Sequence, residues 1–193
     1  MISVMNSNAT EQDLKPWLAQ TQQALFRELI TAFSYPGRIV QFGSSVADTL
    51  IMLLATLVDS GTTLADPFSL ISHDDRRRLN VQPGLPERAR FLILCGTSSP
   101  EFQPALGSLE SPEEGATLIV CVQSFDKGEE LELSGPGIDG VTALSINGID
   151  PSWWIKRRQW NISFPMGVDL ILVAEGEIVA IPRTTKIQTR EDY

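Results

Sequence analysis

Residues 164–187 read Phe-Pro-Met-Gly-Val-Asp-Leu-Ile-Leu-Val-Ala-Glu-Gly-Glu-Ile-Val-Ala-Ile-Pro-Arg-Thr-Thr-Lys-Ile. Val168–Ala174 and Glu177–Ile181 are β-branched, apolar runs, and Glu175-Gly176 between them suits a tight turn, so the segment predicts a hairpin. With a two-residue loop, Ala174 faces Glu177, and Val168, Leu170, Leu172, Val179 and Ile181 fall on one face. Ile171, Val173, Ile178 and Ala180 fall on the other. Two apolar faces predict a sheet covered on both sides.

The polar residues stand at the two ends of this hairpin. Pro165-Met166-Gly167 leads into it, with Asp169 at its start, and Pro182-Arg183-Thr184-Thr185 follows it. A carboxylate beside an apolar strand is costly unless paired, and Arg183 is the nearest cation. A two-residue loop sets Arg183 opposite Val168, on the other face from Asp169, whereas a longer loop with a bulge sets both on one face. A strand-end ion pair and a ligand site are both open readings of these residues.

The chain has 193 residues, enough for one domain with a sizeable core, and 42% of them are hydrophobic. A net charge of -9 argues against nucleic acid as a partner, because phosphate-backbone binding needs clustered cations. Residues 1–13 read as a polar lead without signal-peptide features, and residues 14–193 as a single domain. No run approaches the roughly 18 apolar residues of a membrane span, so the expected location is the cytoplasm. Cys95 and Cys121 sit inside apolar runs and read as buried, reduced thiols.

Trp17, Thr21, Leu25 and Leu29, broadened by Leu18, Phe26, Ile30 and Phe33, predict an amphipathic helix from about Pro16 to Phe33, ended by Pro36-Gly37. Ser44, Ser45 and Asp48 cap a second helix through Val58, apolar nearly all round. A short strand is expected at Thr62–Ala65. Ser72 and the acidic pair Asp74-Asp75 mark a helix start, which leaves His73 exposed and Arg76-Arg77-Arg78 as a solvated face. Phe91–Cys95 and Thr117–Val122 read as strands. Glu129–Leu133, following Asp126-Lys127-Gly128, is expected to return as a second hairpin, and Val141–Ile146 as a further strand. Pro151 opens a helix with Lys156, Arg157 and Arg158 as its cationic side. Trp153, Trp154 and Trp160 are not expected to share one face of it.

Self-sufficient chemistry is hard to find. There is no Walker A loop, and Gly135-Pro136-Gly137 lacks the third glycine and following helix of a dinucleotide fingerprint. One histidine, with no Cys-x-x-Cys, leaves almost no zinc ligands, so metal catalysis through His and Cys is set aside and no metal residues are assigned, while an all-carboxylate magnesium site stays open. The pairs Glu113-Glu114 and Glu129-Glu130 lie in polar turns, and of the lysines only Lys186 approaches the hairpin ends.

Phe26-Arg27-Glu28-Leu29, Ser34-x-Pro36-Gly37, Glu114-Gly-Ala-Thr-Leu118, Leu133-x-Gly135-Pro-Gly-Ile138, Phe164-Pro-x-Gly-Val-Asp169 and Ala180-Ile-Pro-Arg-Thr-Thr185 occur in this order. Together they resemble PhnH, a subunit family of the bacterial carbon-phosphorus lyase system, over residues 26–185. The resemblance implies work alongside the PhnG, PhnI and PhnL subunits, which build a ribose 1-phosphonate 5-triphosphate from ATP and a phosphonate, with PhnJ as a further partner in the complex. It implies no cofactor, a tendency to homodimerise, and a mixed sheet with helices on both faces. The implied fold is similar to the large domain of pyridoxal-phosphate-dependent transferases.

The resulting expectation is an α/β accessory subunit with no catalytic residues of its own. If it meets ATP or phosphonate, the expected contacts are Arg183, Thr184 and Thr185, then Arg27, since guanidinium and hydroxyl groups suit phosphoryl oxygens. Asp169 would orient Arg183 or hold the backbone near Gly167. The alternative is a purely architectural dimerisation and partner-binding module. An independent pyridoxal-phosphate enzyme is a third reading, disfavoured by the missing aldimine lysine.

Overall fold

The computed structural model describes residues 15–189, so the polar lead expected at 1–13 lies outside the described residues. A 3-10 turn at Lys15–Trp17 precedes helix α1, Ala19–Ser34. There follow β1 (Val40–Gln41), α2 (Val46–Leu57), β2 (Thr63–Ala65), α3 (His73–Leu79), β3 (Gln82–Pro83), β4 (Phe91–Cys95), β5 (Thr117–Cys121), β6 (Ser124–Ser134) and β7 (Thr142–Asn147). Helix α4 (Ser152–Trp160), β8 (Asp169–Val173), β9 (Glu177–Ile181) and β10 (Lys186–Thr189) complete the chain.

The strands form a seven-stranded sheet, order β1-β9-β8-β5-β4-β2-β3, and a three-stranded sheet, order β10-β6-β7. In the larger sheet β8, β5, β4, β2 and β3 run parallel, and β9 and β1 join antiparallel at one edge. The hairpin is as read: Ile171 pairs with Ala180, and the Ala174 amide donates to the Glu177 carbonyl at 3.0 Å across a two-residue loop. Gly176 at φ +76 supplies the left-handed residue this turn requires.

Side-chain alternation divides the core into two layers. Ile93, Ile119, Ile171 and Ala180 align across four strands and pack with Leu25, Leu29, Leu50, Leu53 and Leu54 of α1 and α2. Leu94, Val120, Leu172 and Val179 face the other way. Their cover is α4 together with the three-stranded sheet, through Trp153, Trp154, Trp160, Leu131, Leu133, Leu144 and Ile146. The expectation of helices on both faces thus meets a second sheet on one of them.

The caps of α2 form as the sequence suggests. Ser45 Oγ accepts from the Asp48 amide at 3.2 Å, and the Asp48 carboxylate accepts from the Ser44 amide and hydroxyl at 2.8 Å each. Each such cap stabilises a helix by about 1 kcal/mol. In α1 the buried stripe is narrower than expected, Leu25, Leu29 and Ala32, and leaves Phe26 and Ile30 half exposed.

Two expectations fail. Thr117–Cys121 does not form a hairpin with Glu129–Leu133. Leu118, Ile119 and Val120 are fully buried, so β5 needs cover on both faces and takes the centre of the parallel sheet. β6 instead alternates Leu131 in, Glu132 out, Leu133 in, which suits a sheet with one wet face. Asp126-Lys127-Gly128 is an irregularity within β6, where the pairing shifts between Ser124 and Glu129. The second failure concerns α4. At about 100° per residue, positions 153, 154, 157 and 160 span an arc of roughly 120°, so all three tryptophans share a broad buried face, with Arg157 in its middle.

Candidate functional site

Asp169 and Arg183 meet, although the hairpin has the two-residue loop for which the sequence placed them on opposite faces. The β8–β9 ladder ends at Ile181. Pro182 cannot donate to a ladder, and the Thr185 amide closes a turn on the Pro182 carbonyl at 2.9 Å. Strand alternation therefore stops before Arg183, and the turn curls its side chain back onto the start of β8.

The contact uses both backbone and side chain. The Arg183 amide donates to Asp169 Oδ1 at 2.7 Å, Nη2 to Oδ2 at 2.7 Å, and Nε to both oxygens at 3.2–3.3 Å. Nη1 donates to the carbonyls of Pro112, at 2.8 Å, and Pro165, at 3.2 Å. One guanidinium thus fastens four segments of chain. The two side chains are only 13% and 19% exposed, a degree of burial at which removing one partner costs on the order of 3–5 kcal/mol. Gly115 is required by this packing, because a Cβ there would collide with the Gly167 carbonyl oxygen and lie 2.9 Å from Arg183 Nη1. Gly167, at φ +141, would press a Cβ into the Asn161 side chain.

Neighbouring motif segments close around this corner. The Ser34 carbonyl abuts Gly137, and Gly135 lies against the Thr184 carbonyl. Thr184 is exposed, whereas Thr185 is buried and its Oγ1 has no hydrogen-bond partner. Arg27 does not join them. It lies exposed on α1, which packs on the opposite face of the large sheet.

Two residues at this corner were missed by sequence reasoning. The Asn161 side chain clamps both backbone groups of Val168, accepting from its amide at 2.7 Å and donating to its carbonyl at 3.2 Å. Arg157 is 4% exposed, and its Nη2 donates to the carbonyls of Pro182 (2.7 Å) and Thr185 (3.1 Å). Its Nε has no partner, and burial lowers its pKa to about 10, with Asp169 opposing the shift. It remains a cation at neutral pH. The signal was present in the sequence: Arg157 lies four residues after Trp153 and three before Trp160, on the apolar stripe.

In open α/β sheets ligands usually sit at the carboxyl ends of the strands. Here that end carries Asp66, Cys95 and Cys121. Asp66 is occupied by Arg76 at 2.9 Å and by the amides of Leu70 and Ile71. Burial pushes the Cys121 thiol up to about 12, and Cys95 is shifted the same way, so both are protonated and poor nucleophiles. The Arg183 corner lies at the amino end instead.

Residues 15–188 match the family described as bacterial phosphonate metabolism protein (PhnH). The chain belongs to the PhnH family. It is 48% identical over 174 residues to HtxG of Stutzerimonas stutzeri, named as a C-P lyase subunit protein, covering 90% of this chain and 89% of that one. It is 29% identical over 182 residues to the alpha-D-ribose 1-methylphosphonate 5-triphosphate synthase subunit PhnH of Rhizobium meliloti (strain 1021), covering 86% and 90% respectively. The PhnH match spans nearly all the described residues, including both halves of the Asp169–Arg183 clamp. Among the described residues of this PhnH-family chain, no helix is long and apolar enough to cross a membrane.

Proposed function

We propose that this chain is an accessory subunit of a carbon-phosphorus lyase core complex, required for making alpha-D-ribose 1-methylphosphonate 5-triphosphate from ATP and methylphosphonate. In this reading it acts in the cytoplasm with PhnG, PhnI, PhnJ and PhnL, forms a homodimer when isolated, and supplies no catalytic group. The observation that carries the reading is the state of its most distinctive side chain: Arg183 spends its donors on Asp169, Pro112 and Pro165. Such a guanidinium shapes a surface and does not turn over a substrate. A fold like the large domain of pyridoxal-phosphate-dependent transferases belongs to the same proposal, and a superposition on such a domain tests it.

The alternative, a purely architectural module with no ligand site, draws on the same clamp. Ligand presentation draws on the cavity beside Thr184 and Thr185. Affinity capture with tagged PhnI tests the shared part of both readings: the chain co-purifies, and its deletion abolishes growth on methylphosphonate as sole phosphorus source. A chain that fails to co-purify, and is dispensable for that growth, would overturn both.

A further inference from the structure

A cavity of about 720 Å³ opens between α4, the loop through Ile162 and Phe164, and the segment from Arg183 to Gln188. Its walls include Arg157, Arg158, Arg183 and Lys186, and no carboxylate lines it among the described residues. In a chain of net charge -9 this is a local reversal of sign. Of the carboxylates around it, Asp169 is held by Arg183 and Glu129 by the Trp154 indole at 2.9 Å, while Glu132, itself engaged, stands opposite Gln188 on the β6–β10 ladder outside the lining. Arg158 is engaged as well, which leaves Arg157 and Lys186 to carry the argument.

Arg157 is the unusual member. A buried cation is ordinarily matched by a carboxylate in contact. Among the described residues none is in ion-pair contact with Arg157, which rests on two carbonyls. Its Nε and the neighbouring Thr185 Oγ1 are buried polar atoms without partners, and both residues line the cavity. Trp154, Ile162 and Phe164 also line the cavity and give it an apolar part, with Ile162 and Phe164 82% and 66% exposed. Phosphoryl oxygens would answer the unmatched charge, and an apolar or aromatic group would cover the exposed side chains.

We infer that this cavity binds an organic phosphate or phosphonate ester of nucleotide size, with Arg157 and Lys186 toward its oxyanion and Trp154, Ile162 and Phe164 toward its organic part. The inference rests on the accessory-subunit reading only for its choice of probes. Arg183, held by its own partners, positions the turn that carries Thr184 and Thr185.

The test is titration of the full chain with ATP, tripolyphosphate and methylphosphonate, read by calorimetry and tryptophan fluorescence. ATP is expected to bind tightest and to perturb the fluorescence. Tripolyphosphate should bind more weakly, and all binding should weaken with added salt. Lys186→Gln, at an exposed position, should weaken ATP about tenfold, the size of one charge-assisted contact. Phe164→Ala should weaken ATP but not tripolyphosphate. Arg157→Lys should abolish ATP binding, and if that variant does not fold, Lys186→Gln decides. No binding of any probe at millimolar concentration, or ATP binding indifferent to Lys186→Gln, overturns the inference. Co-purification with PhnI would survive either result, so the two readings fail separately.

Discussion

On one face of the seven-stranded sheet, Ile93, Ile119 and Ile171 meet Leu50, Leu53 and Leu54. On the other, Leu94, Val120 and Leu172 share their layer with Trp153, Trp154 and Trp160, and Arg157 lies buried within the same helix face. The first layer is hydrophobic throughout, mostly aliphatic with Phe42 and Phe91 among its large residues, and is covered by α1 and the side-chain-capped α2. The second accepts a buried cation, two orphaned polar atoms and an ion-pair clamp at its rim. A chain that only needed to fold would gain by filling the second layer like the first. The difference separates the face that holds the sheet together from the face that bears the candidate site.

Substitutions can break or sharpen that contrast. The largest effect is expected from Asp169→Ala, which leaves a largely buried guanidinium facing only carbonyls and should cost about 3–5 kcal/mol in urea denaturation. The Asp169→Ala, Arg183→Ala double variant should lose less than the sum of the singles; strict additivity would mean the clamp does not act as a unit. Leu53→Ala, in the aliphatic layer and fully buried, should follow at about 2–5 kcal/mol and leave ATP binding as in the parent. Arg157→Met should cost less than Leu53→Ala despite similar burial, because two lost hydrogen bonds are offset by relief of an unmatched charge. A larger cost than Leu53→Ala would make Arg157 a structural keystone and erase the contrast.

Near pH 9 the smallest effect concerns ionisation, and it grows only as the pH is raised further. Cys121 titrates near 9.0 when exposed and near 12 when folded, because burial disfavours the thiolate. Above pH 9 the unfolded chain loses this proton and the folded chain keeps it. The stability contributed is therefore whole below pH 9 and declines as pH rises toward 12. Cys121→Ser should flatten that decline in thermal melts.

Much of this fold could be read from runs and caps. The hairpin, its two-residue turn, the α2 caps and the buried β4 and β5 follow from local patterns with local causes. What escaped reading is non-local. Nothing near residues 117–133 says that β5 will insert between β4 and β8, because a fully apolar strand fits any buried position. The Asp169–Arg183 contact was judged by strand alternation, which Pro182 interrupts. Arg157 was grouped with Lys156 and Arg158 on a cationic side of the helix, although its spacing from Trp153 and Trp160 sets it on the buried stripe. Arg27, by contrast, remains on the exposed side of α1, away from the other candidates.

The central claim is that this chain contributes structure, and a bound ligand, to a reaction completed by other subunits. It is tested most directly by reconstituting the synthase from purified subunits and following adenine release from ATP with methylphosphonate present. The account predicts no release from this chain alone, and release from the remaining subunits only when it is added. Turnover by the isolated chain, or an equal rate without it, would contradict the account.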